Sequence, residues 1–174
     1  QMSSARYPSL ENRVVLVTGG GSGIGASIVR NFVAQGSKVG FLDIDEPASR
    51  TLVAELGEAV EFEHCDLRDI AWLQRGIAAL RDRLGAVDVL VNNAGTTHRN
   101  QPMLEVDEAT FDRVYAVNVK SVYLGAVHAV PIMRQQGGGA ILNIASTAGV
   151  RPRPGLTWYN GSKGAVITLT KSMA

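Results

Sequence analysis

Short runs of Val, Ile and Leu alternate along the chain with longer stretches in which apolar residues recur at helical spacing. Such runs are typical of strands buried on both faces, and their alternation with helices predicts a parallel sheet covered on both sides. We predict strands at residues 13–18, 38–43, 60–65, 87–92 and 140–145, and helices at 24–35, 47–56, 70–84, 108–135 and 157–174. The pattern predicts an α/β fold, a doubly wound parallel sheet in a single domain.

Two local features qualify this outline. Pro131 lies inside the longest predicted helix, where its missing N–H and its ring should kink the helix or end it early. Residues 1–12 are interpreted as an N-terminal extension and residues 13–174 as the domain. Gln1 stands ahead of the first methionine and is interpreted as the remnant of an expression tag.

Charge and composition argue against several classes of partner. The 17 basic and 16 acidic residues leave a formal net charge of +1, which gives no support to binding of nucleic acid or a membrane surface. No secretory signal and no apolar run of about 18 residues is evident, so we expect no membrane span and a cytoplasmic protein. Cys65 is expected to be a buried, unreactive thiol. Because His64, His98 and His128 show no metal-ligand spacing, no metal site is predicted.

A glycine-rich turn at residues 18–25 follows the first predicted strand and leads into the first helix. Glycines let the backbone turn tightly and approach a pyrophosphate, whose charge is favoured by N–H groups at a helix N-terminus. The turn matches G-x-x-x-G-x-G from Gly19 or the looser G-x-G-x-x-A from Gly21. By itself, such a turn is also compatible with a flexible loop.

Acidic residues end the second and third predicted strands. Asp43 lies 20 residues beyond Gly23, where a carboxylate can accept hydrogen bonds from the adenosine ribose of a dinucleotide. Asp66 ends the third strand in the same way, near the expected adenine edge. Either residue could instead cap a helix or stabilise a turn.

Tyr159 and Lys163 are four residues apart at the start of the last predicted helix, so they share one face of it. Ser146 lies at the C-terminal end of the preceding strand, at the edge where open parallel sheets bind ligands. The three side chains are therefore expected at one site. Each also has an ordinary structural alternative, since Ser146 could cap a turn and Tyr159 could be a half-buried aromatic residue.

Together these motifs resemble the short-chain dehydrogenase/reductase family over essentially the whole chain, from the glycine turn through N-N-A-G at 92–95 to Y-N-G-S-K at 159–163. The resemblance implies a Rossmann-type fold in which the glycine turn binds the cofactor pyrophosphate and the N-N-A-G turn supports the adenosine side. The active-site residues that it implies are Asn118, Ser146, Tyr159 and Lys163. The cofactor contacts that it implies are Gly19, Gly21, Ser22, Gly23, Ile24, Gly25, Asp43, Asp66, Leu67, Asn92, Ala94, Gly95, Tyr159 and Lys163.

The chemistry of alcohol oxidation accounts for these residue types. A base must take the hydroxyl proton while hydride leaves the carbon, and reduction needs the same group as an acid. A free tyrosine, with a pKa of about 10, is a poor base at neutral pH, but a nearby ammonium and the nicotinamide ring favour its phenolate. Tyr159 is therefore assigned as the acid and base, with Lys163 tuning it and, as in the family, holding the nicotinamide ribose. Ser146 would bond the substrate oxygen, and Asn118 would position a water linking Lys163 to solvent.

NAD(H) is expected in preference to NADP(H), because Asp43 would repel a 2′-phosphate and residues 20–23 contain no Arg or Lys. The substrate is expected to be a small-molecule alcohol or ketone, and sugars, steroids, acyl thioesters and small ketones all stay open. A catalytically silent dinucleotide-binding protein would keep the same fold. A Rossmann-like methyltransferase could share the glycine turn without requiring Tyr159 and Lys163.

Two expectations concern the rest of the molecule. The predicted 108–135 helix is apolar nearly all round, so we expect a homodimer or homotetramer built on it and on the last helix, whose counterparts in the family pair across a two-fold axis. The chain ends at Ala174 within an apolar helical pattern. Since members of the family continue into further strands, the natural protein is expected to extend past Ala174, with C-terminal strands missing from this chain.

Overall fold

Five strands form one parallel sheet in the computed structural model, which describes residues 5–174. The sheet order is β3-β2-β1-β4-β5, and every neighbouring pair is parallel. Because β1 pairs with both β2 and β4, the chain progresses in opposite directions on either side of it, which is the topology of a Rossmann-type doubly wound fold. The predicted fold class is confirmed. The strands are β1 (Val14–Thr18), β2 (Lys38–Asp43), β3 (Val60–His64), β4 (Val89–Asn92) and β5 (Ala140–Asn143).

Helices pack on both faces of this sheet and bury two separate cores. In β1, which is buried along its whole length, Val15 and Val17 join one core and Leu16 joins the other, as the alternation of side chains in a strand requires. The α-helices of the described residues are α1 (Gly23–Ala34), α2 (Glu46–Leu56), α3 (Ile70–Leu84), α4 (Glu108–Tyr115), α5 (Ser121–Gln135) and α6 (Thr157–Met173).

Two of the predicted strands are longer than the observed ones by two residues. β4 begins at Val89 rather than at residue 87, and β5 ends at Asn143 rather than at residue 145. Ile144 and Ala145 lie beyond β5 and line the cleft described below. They are apolar and so resemble strand residues in the sequence, and the N–H of Ile144 still donates to the carbonyl of Asn92 at 2.9 Å, although the regular strand has ended.

The predicted helix over residues 108–135 is wrong in its middle, where a π-helical turn, Ala116–Lys120, joins α4 to α5. The N–H of Ser121 bonds to the carbonyl of Ala116, five residues back. The predicted early end at Pro131 is also wrong, because α5 continues to Gln135. Ala129 and Met133 on either side of Pro131 are buried in the core, and this packing holds the helix through the proline.

By length and composition alone, the 28-residue stretch Glu108–Gln135 would suffice to cross a membrane, which the sequence reading did not anticipate. Core helices pass the same test, and Val114, Leu124 and Met133 of this stretch are buried in the fold. On its outer face, Tyr123 is 59% and Val127 44% exposed. The homo-oligomer expected on this helix stays a prediction.

The N-terminal extension, where described, packs beside the end of α1. The guanidinium of Arg6 donates to the carbonyl of Ala34 at 3.0 Å, and the N–H of Tyr7 donates to the side chain of Gln35 at 2.8 Å. Gln1, interpreted as a tag remnant, lies outside the described residues. Cys65 is buried as expected, and burial raises the pKa of its thiol to about 12.

Candidate active site

A cleft of about 720 Å³ opens where the strands end, and residues following all five strands line it. It lies at the carboxyl edge of the sheet, next to the point where the strand order reverses, which is where doubly wound folds bind ligands. Its volume falls within the range of small-molecule and cofactor sites. The fold therefore creates the site at the edge that the sequence predicted.

The glycine turn forms one wall of the cleft. Gly19 and Gly23 have φ angles of +66° and +52°, which suit glycine, and α1 begins at Gly23. Ser22 precedes the helix without forming a side-chain cap, so the first N–H groups of α1 have no side-chain partner there. The predicted contacts that line the cleft from this turn are Gly19, Ser22, Gly23, Ile24 and Gly25.

Gly25 and Gly21 are needed for close packing rather than for unusual backbone angles. A Cβ atom on Gly25 would lie 1.8 Å from the carbonyl oxygen of Gly19. A Cβ on Gly21 would lie 2.4 Å from Oγ of Ser49. Gly21, predicted as a cofactor contact, does not line the cleft; its N–H bonds to the carboxylate of Asp43, and a Cβ there would point at Ser49 of α2.

Asp43 ends β2 at the cleft and is buried. Its Oδ2 accepts a hydrogen bond from the N–H of Gly21 at 2.8 Å, and its Oδ1 accepts one from the N–H of Asp45 at 2.8 Å. Asp45 is the residue that caps α2, through the N–H of Ala48. Asp43 is therefore not a helix cap. Its carboxylate ties the glycine turn to the end of β2 and adds a negative group to the cleft.

Asp66 and Leu67 line the cleft beyond β3, as predicted. The carboxylate of Asp66 pairs with the guanidinium of Arg68 at 2.6 Å, and hydrogen bonds from Arg68 hold the pKa of Asp66 below its ordinary value. Asp69, and not Asp66, caps α3 through the N–H of Trp72. Asp66 is thus both a turn residue and part of the cleft wall.

Within the N-N-A-G turn the two asparagines point in different directions. Asn92 is the last residue of β4, and its amide donates to Oδ1 of Asn143 at 2.8 Å, away from the cleft. Its prediction as a cofactor contact is not supported by this placement. The amide of Asn93 instead donates to the carbonyls of Thr18 at 3.1 Å and Gly19 at 2.9 Å. Asn93, which the sequence reading left out, lines the cleft with Ala94 and Gly95 and fixes the glycine turn.

Tyr159 and Lys163 line the cleft on the side of β5, one turn apart on α6. Lys163 is only 5% exposed, and its Nζ donates to the carbonyl of Ile144 at 2.9 Å. Within residues 5–174 it forms no ion pair with a carboxylate, and burial lowers the pKa of its ammonium. Gly95 lies so close that a Cβ there would be 3.3 Å from Nζ. The structure thus buries a cation beside the predicted acid and base.

Replacing Lys163 by methionine is expected to raise the thermal midpoint by about 2–4 °C, the equivalent of roughly 1 kcal/mol in a chain of this size. The folded protein holds an ammonium where burial disfavours the charge, whereas the unfolded chain exposes it. Between the lowered folded pKa and 10.5, the unfolded chain binds more protons, so wild-type stability rises with pH across that window. Calorimetry from neutral pH upward should show the variant's advantage shrinking across that window.

Lys171 provides the matched control, since it lies exposed on the same helix. Its replacement by methionine should leave the midpoint unchanged. A Lys163→Met protein less stable than wild type at neutral pH would contradict the interpretation of Lys163 as a costly buried charge.

Asn118 lies in the π-helical turn rather than in a regular α-helix and is almost fully buried. Its Oδ1 accepts from the N–H of Thr96 at 2.8 Å, and its Nδ2 donates to the carbonyl of Thr96 and to Oγ of Ser162, each at 2.9 Å. Oγ of Ser162 in turn donates to the carbonyl of Tyr159 at 2.7 Å. Asn118 does not itself line the cleft, but it is linked through Ser162 to the backbone of Tyr159.

Ser146 follows β5 and is half-buried. Its Oγ accepts from the N–H of Ala148 at 3.1 Å and so caps a short 3-10 turn, Thr147–Gly149. The structural alternative for Ser146 is therefore realised, although the hydroxyl hydrogen stays available to donate. Ser146 is not among the cleft-lining residues, which include its neighbours Ile144 and Ala145.

Other polar residues at the site were not foreseen. Arg113 on α4 lines the cleft, and its guanidinium donates to Oγ1 of Thr96 at 2.7 Å. His98, for which the sequence predicts only that it is no metal ligand, is buried against the start of α6. No sequence spacing marks these contacts, because they join segments distant in the chain. Among the described residues no three His, Cys, Asp or Glu side chains cluster as metal ligands would.

Comparison with known proteins identifies the family of this chain. The profile described as short chain dehydrogenase matches residues 13–174. The chain is 47% identical over 170 residues to 4-formylbenzenesulfonate dehydrogenase of Comamonas testosteroni, covering 95% of this chain and 67% of that protein.

Two solved structures share the fold closely. The 3-ketoacyl-(acyl-carrier-protein) reductase from Brucella melitensis, complexed with NADH, superposes with a TM-score of 0.93 at 38% identity, covering 95% of this chain and 69% of the other. A short chain dehydrogenase/reductase from Burkholderia phymatum, in complex with NAD, gives 0.90 at 32% identity, covering 94% and 59%. The order of the motifs, the sheet topology and these matches agree, and the chain belongs to the short chain dehydrogenase family.

Proposed function

We propose that the chain is an NAD(H)-dependent oxidoreductase that interconverts a secondary alcohol and a ketone by hydride transfer. The observation that carries the proposal is that Tyr159 and Lys163 line the same cleft as the glycine turn and Asp43. The two ends of this cleft have different chemistry. One offers backbone N–H groups and a carboxylate to a dinucleotide, and the other offers a phenol beside a buried ammonium.

The cleft residues fit a dinucleotide. The uncapped start of α1 provides N–H groups for a pyrophosphate, and Gly25 keeps the helix close to Gly19. Asp43, Asp66 and Leu67 line the cleft, and we assign Asp43 to the ribose hydroxyls and Asp66 with Leu67 to the adenine. The nicotinamide ring, when bound, supplies the hydride donor or acceptor.

Proton transfer is assigned to Tyr159 and Lys163. The phenolate of Tyr159 takes the substrate proton in oxidation, and the phenol returns it in reduction. A phenolate at this position is stabilised by the ammonium of Lys163, which is held in a site of low solvent content by the carbonyl of Ile144. Lys163 is also the residue proposed to hold the nicotinamide ribose.

Ser146 and Asn118 are assigned supporting roles. With its Oγ accepting from Ala148, Ser146 has one hydroxyl hydrogen to donate to the substrate oxygen, where negative charge develops. Both amide hydrogens of Asn118 are committed to Thr96 and Ser162. A relay water between Lys163 and solvent would therefore have to donate to Oδ1 of Asn118, which has a second lone pair.

The preference for NAD(H) is proposed to rest on the charge of Asp43. A carboxylate about 4 Å from a 2′-phosphate costs roughly 4 kcal/mol per unit charge at an effective dielectric of about 20. Half of that, about 2 kcal/mol, corresponds to roughly thirtyfold discrimination. Arg50 does not offset this, because its guanidinium pairs with Glu46.

Asp43→Asn is therefore expected to reduce the ratio of NADPH to NADH dissociation constants by about thirtyfold. Asparagine removes the charge and keeps one oxygen that can accept from the N–H of Gly21, while its NH2 group cannot accept from the N–H of Asp45 as the second carboxylate oxygen does. Fluorescence titration of both cofactors measures the ratio. Asp45→Asn is the control, since Asp45 caps α2 and does not line the cleft. Equal wild-type affinities for the two cofactors, or an unchanged ratio in Asp43→Asn, would show that Asp43 does not select the cofactor.

The proposed function is tested by titrating NADH and NADPH and then assaying a panel of sugars, hydroxysteroids, acyl thioesters, small ketones and an aromatic aldehyde with its alcohol. We expect binding of NADH and a change in absorbance of the reduced cofactor with at least one substrate class. Binding without turnover across the panel would favour the silent dinucleotide-binding protein. Absence of binding would contradict both. The methyltransferase alternative is removed by the family match.

A further inference from the structure

The first turn of α6 needs a hydrogen-bond acceptor that the helix itself does not provide. The helical ladder begins with the N–H of Asn160, which bonds to the carbonyl of Leu156 at 2.8 Å. Tyr159, the residue just before it, carries one of the N–H groups that have no partner within a helix. Leu156 precedes the helix and has no side-chain acceptor to cap it. The backbone of Tyr159 therefore depends on another segment.

His98 supplies that acceptor from the loop after β4. Its Nε2 lies 3.4 Å from the N–H of Tyr159, and its Nδ1 lies 2.7 Å from the carbonyl oxygen of Arg99. Since an N–H can only donate and a carbonyl can only accept, Nε2 must carry the lone pair and Nδ1 the proton. The imidazole is only 5% exposed. The two contacts together fix a neutral ring in one tautomer.

Further hydrogen bonds hold the same loop against the start of α6. The amide of Asn100 donates to the carbonyl of Pro154 at 2.8 Å, and the N–H of Gln101 donates to the carbonyl of Gly155 at 3.0 Å. The indole of Trp158 donates to the carbonyl of Met103 at 3.1 Å. The residues from 98 to 103 thus hold the helix start at several points, and His98 is the one that reaches Tyr159.

The backbone of Tyr159 is consequently held from both sides by side chains. His98 accepts from its N–H, and Ser162 donates to its carbonyl at 2.7 Å. The phenol of Tyr159 projects from this fixed backbone. A small displacement of a reacting group from its productive position can cost about a hundredfold in rate. The cap is therefore expected to matter for turnover more than for folding.

We infer that His98 is a positioning residue, whose neutral imidazole caps the catalytic helix through Nε2 and so sets the position of Tyr159. The inference rests on the proposed function for its effect on turnover. The cap itself is a property of the helix start and can be measured without a substrate. This separates failure of the inference from failure of the proposed function.

Two substitutions distinguish the role of Nε2 of His98 from that of Nδ1. His98→Gln places an amide oxygen near the position of Nε2, so it can still accept from Tyr159. His98→Asn reaches only the position of Nδ1, so it can keep the local bond to Arg99 but not the cap. The purified proteins are compared by amide hydrogen exchange at Tyr159, by NADH titration, and by kcat and KM with the best substrate of the panel.

His98→Asn is expected to speed exchange at the Tyr159 amide by about tenfold and to lower kcat by about 10- to 100-fold, with the NADH dissociation constant within about twofold of wild type. In His98→Gln, the exchange rate at the Tyr159 amide and kcat should both return most of the way to their wild-type values. Unchanged exchange in His98→Asn, or a Gln variant no better than the Asn variant, would overturn the inference. If the wild type shows no turnover, the proposed function fails, and the exchange rates alone decide whether His98 caps the helix.

Discussion

Tyr159→Phe is expected to lower kcat by about a thousandfold while leaving the NADH dissociation constant within about twofold of wild type. The substitution removes one hydroxyl and keeps the ring that lines the cleft. The bonds that hold the residue use its backbone N–H and carbonyl, so phenylalanine retains them. Steady-state kinetics, with fluorescence titration of NADH, measure the two quantities.

The matched control for this substitution is Tyr123→Phe. Tyr123 is exposed on the outer face of α5 and does not line the cleft. The Tyr123→Phe protein should turn over substrate at the wild-type rate. A near-normal kcat in Tyr159→Phe would contradict the assignment of Tyr159 as acid and base. Loss of NADH binding in the same variant would mean that the phenol serves binding instead.

Gly25→Ala is expected to weaken NADH binding by at least about tenfold and to lower the free energy of unfolding by about 1–3 kcal/mol. Its Cβ would lie 1.8 Å from the carbonyl oxygen of Gly19 and 2.6 Å from Nδ2 of Asn93. Neither atom can move aside easily, because the Asn93 amide is bonded to the same carbonyl. The extra methyl must therefore push α1 away from the glycine turn, which disturbs the pyrophosphate site. Titration with NADH and chemical denaturation measure the two effects.

Gly85→Ala distinguishes this steric effect from the general cost of replacing glycine. Gly85 ends α3 in the left-handed region at φ +87°, and a Cβ there would meet no atom within 4 Å. Alanine should cost about 1 kcal/mol through backbone strain and leave NADH binding unchanged. Wild-type NADH affinity in Gly25→Ala would refute the proposed role of the close approach between α1 and the glycine turn.

The sheet was predictable because a strand buried on both faces leaves a continuous apolar run in the sequence. Residues 38–43 were predicted and observed as β2, and α3 was predicted with its observed limits. The carboxyl edge followed from the parallel topology, which placed Asp43, Asp66 and Tyr159 at one cleft. Where a regular strand ends before an apolar residue, as β5 does before Ile144, composition gives no sign of the boundary.

The direction of individual side chains was less predictable. Asn92 ends β4 as predicted, yet its amide bonds to Asn143, while the amide of the adjacent Asn93 bonds to the glycine turn. A correct strand limit therefore does not tell which of two identical neighbours faces the cleft, because successive residues of an extended chain point to opposite sides. His98 could not be assigned from spacing either, because its partner, Tyr159, lies 61 residues further along the chain.

The π-helical turn at Ala116–Lys120 explains why the 108–135 stretch looked apolar all round. A turn closed by a five-residue hydrogen bond contains one residue more than an α-helical turn, so α5 is out of phase with α4 by about 100°. No single helical wheel can represent both segments, and two separate apolar faces overlap when they are drawn as one. Deleting one residue here would restore a regular helix and rotate α4 relative to α5. A loop could accommodate such a deletion. In this segment the deletion would move Val114 out of the core or Asn118 away from Ser162.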